Sequence, residues 1–286
     1  MQDALSGETS ALAIFGLFLL AGALELLWPH RQHNGPITKR WFGNVTLYVL
    51  SGAIMLVPAI VAFAAALASH VTRFGLLDAM PLPPVYTWTV GILAMDALAY
   101  ANHRLDHNIG VLWRIHAVHH SDPEIDATTT FRHHPLEVML DSLLVGGCVL
   151  LIGISPAQVA VYSLLAMAIQ LVAHTNIQVP VRLERGLGTV LVTPGFHQMH
   201  HSREVGQTNS NYGQVFVFWD HLFGSNSGRA ADRERPIEFG LDHFRDSGSQ
   251  LPHRLLLQPV LPQHSSPQSE DQASGTTRNR SVSPVS

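Results

Sequence analysis

The chain has 286 residues, of which 13% are charged and 47% hydrophobic, and its formal net charge is −4. Typical soluble domains carry about 25% charged residues, and the small acidic excess excludes a broad basic face for nucleic acid. A single cysteine, Cys148, excludes an internal disulfide framework, a cysteine-held iron–sulfur cluster and a structural zinc site; inside an apolar run it reads as a small buried hydrophobe.

Five apolar runs follow in order: residues 11–27, 45–69, 85–101, 138–153 and 156–173. A helix needs about 20 apolar residues to cross a hydrocarbon core, with roughly 17 to 25 tolerated. The second run spans with tilt, the first and third just reach, and the last two form a hairpin about the turn "GISP", either spanning or re-entrant. The first run is preceded by Asp3 and Glu8 and lacks the basic region of a secretory signal, so it is expected to be a retained span. Arg31, Lys39 and Arg40 place the loop before the second run on the cytoplasmic side. Alternation then brings residues 102–137, and everything from His174 onward, to that same side. The expected fold is all-α: an integral-membrane bundle of about four to five apolar helices with a cytoplasmic histidine-rich helical cap. The expected divisions are N-terminal membrane helices over 1–84, a catalytic domain over 85–245 and a disordered Ser/Pro/Gln-rich tail over 246–286. Such a tail lacks the apolar area to offset its ordering entropy.

Histidines cluster where the apolar runs end. "HRLDH" (103–107) is followed by "HAVHH" (116–120) and "HQMHH" (197–201). On a helix, i, i+3 and i+4 share a face, so His116, His119 and His120 can point at one location, as can His197, His200 and His201. His103 and His107 form an i, i+4 pair on the continuation of the third run. Neutral imidazole is the commonest metal ligand, and eight exceed what one ion can use, which points to a pair of ions. His174 emerges directly from an apolar run on the same side. "FRHHPLE" offers His133 and His134, one further ligand between them. His30, His33, His70, His221, His243, His253 and His264 stand alone and read as structural or solvated. Imidazole suits iron, zinc, copper and nickel alike, so ligand type alone leaves the metal open.

Asp96 lies inside the third run, seven residues before His103 and hence on nearly the same helical face. An ionisable group in a span marks function by default, and Asp96 is expected to hydrogen-bond a ligand imidazole; the alternative is a helix–helix bond. Asp106, Asp122, Asp126 and Glu137 are candidates for the same work. Arg114 and Arg132 offer charge for an anionic head group or the phosphate surface. No GxGxxG follows a strand pattern and no CxxCH is present, so electrons must come from a separate carrier.

The stretches "NHRLDH" (102–107), "LWRIHAVHHSD" (112–122), "TTTFRHHPLE" (128–137), "HTNI" (174–177), "TPGFHQMHHS" (193–202) and "NYGQVFVFWDHLFGS" (211–225) together resemble the fatty acid hydroxylase and sterol desaturase superfamily of integral-membrane oxygenases. The resemblance covers about residues 85 to 240. It implies two non-haem Fe²⁺ ions, with zinc as a substitute ion, activating O₂ at the cytosolic membrane face. It carries the three histidine boxes onto His103, His107, His116, His119, His120, His197, His200 and His201, with His174 and His134 as further histidines common in the family. Some members have a second HxxxH pair where this chain has Gln170 four residues before His174. The implied activity is hydroxylation, or desaturation, of an aliphatic C–H bond in a lipid, sterol or similar apolar substrate, with electrons from a carrier of the cytochrome b5, ferredoxin or reductase type. Two other classes are weaker. A metal transport protein would place ligands along the spans, whereas these lie just outside them. A zinc hydrolase would want a general-base glutamate beside the histidines, and an HExxH motif is absent.

Overall fold

The computed structural model describes residues 7–33, 37–230 and 237–262. Among these the chain is helical, and its only extended pairings are isolated bridges such as Pro29 with Ile177 and Leu191 with Phe216. The long helices are α1 (Gly7–Leu27), α2 (Ile37–Thr72), α3 (Pro84–Asn108), α5 (Pro135–Ile152) and α6 (Pro156–Ala173), with α4 (Gly110–His120) between α3 and α5. Short helices follow: α7 (Val181–Leu187), α8 (Pro194–His200), α9 (Val205–Thr208), α10 (Phe218–Leu222) and α11 (Pro252–Leu257).

Helix starts follow from local chemistry. Proline occupies the first turn of α3, α5, α6, α8 and α11, where its missing N–H would have had no partner. The hairpin between α5 and α6 is built by three residues. Gly153 ends α5 in the left-handed conformation (φ +82°), Ser155 caps α6 reciprocally with Gln158, and Pro156 begins it. Gln158 then donates to the Thr87 carbonyl (2.8 Å) across to α3. That contact requires Gly91, since a Cβ there would lie 2.2 Å from the Gln158 amide nitrogen.

Helices α5 and α6 are long and apolar enough to cross a membrane, and Ile14–Leu27 in α1 is a shorter apolar stretch. Helix α2 has 36 residues, about 54 Å at 1.5 Å per residue, so it exceeds a hydrocarbon core of about 30 Å. It packs along α5, while Phe15, Leu19, Val49, Ile60 and Phe63 on the outside of α1 and α2 are exposed. A single polar end results. The C-terminal ends of α1, α3 and α6 and the N-terminal ends of α2 and α5 meet there, under α4 and α8. Glu25 accepts from the backbone N–H of Ala127 and Asn176, and Arg40 pairs with Asp122 and Asp126.

Residues 246–262, assigned by composition to the disordered tail, are instead folded. Leu255 is fully buried with Leu47 and Val118, and Gln258 donates to the Ala117 carbonyl (2.9 Å). Three consecutive leucines in α11 supply apolar area that the average composition of the segment conceals. Residues 263–286 lie outside the described residues, as do 1–6. Cys148 is free and half-buried rather than fully buried.

Candidate metal centre

Nine buried histidines fall into two groups at the polar end. The first holds His103, His107, His116, His120 and His200; the second holds His119, His174, His197 and His201; within each group the ring nitrogens lie within 4.8 Å of one another. The grouping cuts across the three sequence boxes, although the spacing would let each box serve one location. Adjacent residues of a helix are rotated by about 100° at 3.6 residues per turn. Each HxxHH helix therefore stands between the groups: α4 gives His116 and His120 to the first and His119 to the second, and α8 gives His200 to the first and His197 and His201 to the second.

In the first group four of the five Nδ1 atoms have a partner, and that of His120 has none among the described residues. His103 donates to the Tyr212 carbonyl (2.9 Å), His200 to the Ser210 carbonyl (2.7 Å), His107 to Asn209 Oδ1 (3.2 Å) and His116 to Glu137 Oε1 (2.8 Å). Each such bond fixes the tautomer and leaves Nε2 as a lone-pair donor. The Nε2 atoms of His107, His116, His120 and His200 are buried and have no partner among the described residues.

The second group is tighter. His174 Nε2 lies 3.2 Å from His119 Nε2, 3.2 Å from His201 Nε2 and 3.0 Å from His197 Nε2, and His201 and His197 are 3.1 Å apart. One proton per neutral ring cannot satisfy all of these contacts. A metal can: with imidazole bonds of about 2.1 Å, the value for zinc, ligands at right angles sit about 3.0 Å apart and tetrahedral ones about 3.4 Å. Both groups thus fit metal ions by the chemistry and spacing of their donors. Burial, followed by the neighbouring imidazoles, holds His119, His120, His197, His200 and His201 well below the ordinary histidine value. Burial lowers His174 to about 4. All are neutral, ligand-ready rings near pH 7.

His134 joins neither group. It caps α5, its Nδ1 accepting from the Leu136 N–H (3.1 Å) while its Nε2 donates to the Leu256 carbonyl (3.2 Å). Its neighbour His133 is the one turned toward the centre: it stacks on His119 with ring centroids 4.4 Å apart and shares Glu137 Oε1 with His116.

Asp96 is also placed differently from expectation. Its carboxylate touches no imidazole; it accepts from Tyr162 Oη (2.9 Å), Trp219 Nε1 (2.9 Å) and the backbone N–H groups of Val215 and Phe216 (3.1 and 3.2 Å). It anchors the loop after α9 to α3 and α6. Asp220 tightens the same loop by accepting from the N–H groups of Tyr212 and Gly213 (both 2.8 Å). This loop, residues 209–214, orients three of the five imidazoles of the first group. Its part went unread because two of its acceptors are backbone carbonyls, which leave no trace in residue identity. Arg132 is fully buried, donating to the Val118 carbonyl, Asn44 and Ser121, and Arg114 donates to the carbonyls of Pro259 and Leu261. Neither faces a head group; both fasten α4 to its surroundings.

A cavity of about 400 Å³ opens beside both groups between α3, α5 and α6. His103, His116, His119, His174 and His197 form its floor, with Met95, Ala99, Val145, Ala166 and Met167 among its walls.

Fold and site together define a class: an all-helical chain with membrane-length apolar helices and a buried polyhistidine core at one end of the bundle. Residues 88–225, which contain every histidine of both groups, match the family model for fatty acid hydroxylase. That segment, just under half of the chain, carries a fatty acid hydroxylase domain, the domain that marks the fatty acid hydroxylase and sterol desaturase superfamily. The chain is 29% identical over 162 residues to alkylglycerol monooxygenase of Caenorhabditis elegans, covering 57% of this chain and 31% of that protein. To alkylglycerol monooxygenase of Danio rerio it is 26% identical over 234 residues, 80% of this chain and 48% of that protein. To the ornithine lipid hydroxylase OlsE of Rhizobium tropici it is 30% identical over 145 residues, 50% of this chain and 42% of that protein. The matched segments thus span between about a third and a half of these relatives. No solved structure matches the chain.

Proposed function

We propose that the protein is a membrane-bound non-haem di-iron oxygenase that hydroxylates an aliphatic C–H bond of a lipid, with O₂ and electrons from an external carrier. The observation that carries this reading is the pair of buried imidazole groups whose unpartnered or mutually facing Nε2 atoms fit two metal ions. His103, His107, His116, His120 and His200 would hold one iron, and His119, His174, His197 and His201 the other. Bound iron would activate O₂, the oxidant, for attack on an unactivated C–H bond, chemistry that side chains alone lack. Hydroxylation is preferred to desaturation because the relatives are named as a monooxygenase and a hydroxylase.

The chain's own residues do the positioning. Glu137 and the 209–214 loop hold four of the five imidazoles of the first group in one tautomer, and α4 and α8 keep the two groups side by side. The apolar walls of the cavity receive an aliphatic segment and keep bulk water from the floor. The five apolar helices would be spans or, for α5 and α6, a spanning or re-entrant hairpin. With the basic loop before α2 inside, the polar end faces the cytoplasm, where a soluble or membrane-held electron carrier can dock. In domain terms, residues 1–84 supply membrane helices and 85–245 the catalytic unit, with part of 246–262 packed against it.

Turnover of extracted membrane lipid by the iron-loaded protein under isotopically heavy dioxygen tests the reading. Incorporation of one heavy oxygen atom into a lipid product is the expected result. A product whose oxygen derives from water would overturn it in favour of hydrolysis or hydration.

A further inference from the structure

Away from the histidines, two cavities meet at residues 31–33, just beyond the C-terminal end of α1. One, of about 650 Å³, runs between α1 and α2 and is lined chiefly by apolar side chains, among them Phe18, Leu26, Ile37 and Val45. Its carboxylate, Glu25, is committed to the backbone N–H groups of Ala127 and Asn176. The other, of about 430 Å³, is polar and is lined by Arg31, Arg203 and Arg245 and by Glu124 and Glu238. Arg31, Gln32 and His33 line both, and neither shares a residue with the cavity above the imidazoles.

The charges of the polar cavity do not cancel. Glu238 is taken by Arg203 (2.8 Å), which also holds Asp242 (2.5 Å), and Glu124 is engaged by His33 (2.7 Å). Arg31 and Arg245 have no carboxylate partner among the described residues. Backbone holds them instead. Arg31 Nη1 donates to the Ile237 carbonyl (2.7 Å), with its guanidinium 4.3 Å from the centre of the Phe239 ring. Arg245 Nη1 donates to the carbonyls of Phe239 (2.8 Å) and Leu241 (3.0 Å). Two guanidiniums thus converge on one turn, each with Nε and Nη2 free of any acceptor among the described residues. Such forks match the oxygens of a phosphate. Trp28, exposed directly past α1, suits the membrane–water boundary, where aromatic side chains gather, and Arg31 follows it by three residues.

We propose that the two cavities form a single site for a phospholipid of net negative charge. Its phosphate sits between Arg31 and Arg245, and an acyl chain lies in the cleft between α1 and α2. A lipid is favoured over a soluble phosphate because the arginine pocket adjoins an apolar cleft that a free anion would leave empty. The site is separate from the imidazole-floored cavity, so its occupant is a resident lipid that ties α1 to the turn at 237–241, not the molecule oxidised.

Native mass spectrometry of the full chain in an uncharged maltoside tests this by titration with dioleoyl phosphatidic acid, dioleoyl phosphatidylcholine or glycerol 3-phosphate. Wild type is expected to bind one phosphatidic acid on the order of tenfold more tightly than phosphatidylcholine, the size of one charge-assisted hydrogen bond. Arg31→Gln and Arg245→Gln should each remove most of that preference, and Arg31→Lys should keep part of it. Gly22 lines the apolar cleft, and a Cβ added there meets nothing within 4 Å. Gly22→Leu should therefore fill the cleft and weaken both lipids several-fold, leaving glycerol 3-phosphate unaltered. Equal binding of the two lipids by wild type would overturn the proposal, as would a preference that survives both glutamine substitutions. Glycerol 3-phosphate bound as tightly as phosphatidic acid, and lipid binding indifferent to Gly22→Leu, would mean a soluble-phosphate site and overturn the lipid assignment. Should a glutamine variant fail to fold, the wild-type ranking and Gly22→Leu still decide. None of these residues belongs to either imidazole group, so failure here leaves the oxygenase reading standing.

Discussion

The two imidazole groups are neighbours that share α4 and α8, yet they are held in different ways. In the first, four of five rings donate Nδ1 to a partner outside the group, and three of those partners come from one loop pinned by Asp96 and Asp220. In the second, only His174 has such a partner, the Gln170 carbonyl one turn back on its own helix (2.8 Å). The Nδ1 atoms of His119, His197 and His201 are buried without one. The first group is oriented by its surroundings before any ion arrives, while the second is oriented by its backbone and by the ion it would hold. A metal in the first group should therefore depend on residues distant in sequence, and a metal in the second on the local geometry of α4, α6 and α8.

The largest test of that difference removes one ligand from each group. His200→Ala should weaken metal binding at the first group by more than about 100-fold, since loss of an orienting partner alone costs about 10–100-fold, and should leave the second group's ion in place. His197→Ala should do the reverse. Titration with a chromophoric chelator resolves the two sites, and loss of both ions from either variant would mean that the groups act as a unit. Next in size, Glu137→Gln should lower affinity at the first group by about 10–100-fold with the second unchanged. An equal loss at both would show that Glu137 acts through His133, stacked on His119, as well as through His116.

Acidity separates folding from ligation. His174 titrates at about 4 in the folded chain, against 6.5 for an exposed ring, and the other rings of its group are also depressed. Between those values the unfolded chain binds more protons than the folded one, so stability falls as pH drops. Metal-free protein should show this loss from about pH 6.5 toward 4 in denaturant melts, and His174→Gln should flatten the slope. A pH-independent midpoint across that window would contradict burial of neutral rings. The smallest effect is expected at His134: alanine there removes a helix cap, a loss of about 1 kcal/mol, with both ions retained. Loss of an ion from His134→Ala would restore this residue to the ligand set.

Much of this was legible in the chain because the relevant signals are periodic or compositional. The apolar runs mark the long helices, "GISP" marks the hairpin, and the HxxHH spacings mark the polar end. What escaped were features that depend on how helices face one another. The division of each box between two groups follows from a 100° rotation between neighbours, but which side meets which helix is a packing outcome. Asp96 sits on the histidine face of α3, as its spacing requires, yet the donors that reach it come from residues 162 and 215–219. The resemblance points to His134 as the ligand, but the start of α5 at Pro135 makes His134 a cap and leaves His133 facing the centre.

Metal content of the detergent-purified full chain after anaerobic iron loading is the most direct measurement, made beside a His119→Ala, His200→Ala double variant that takes one ligand from each group. Near two irons per chain, oxidised on exposure to O₂ and lost from the variant, is the expected result. A single ion or none after loading, or a content unchanged by the two substitutions, would contradict a two-metal centre built from these histidines.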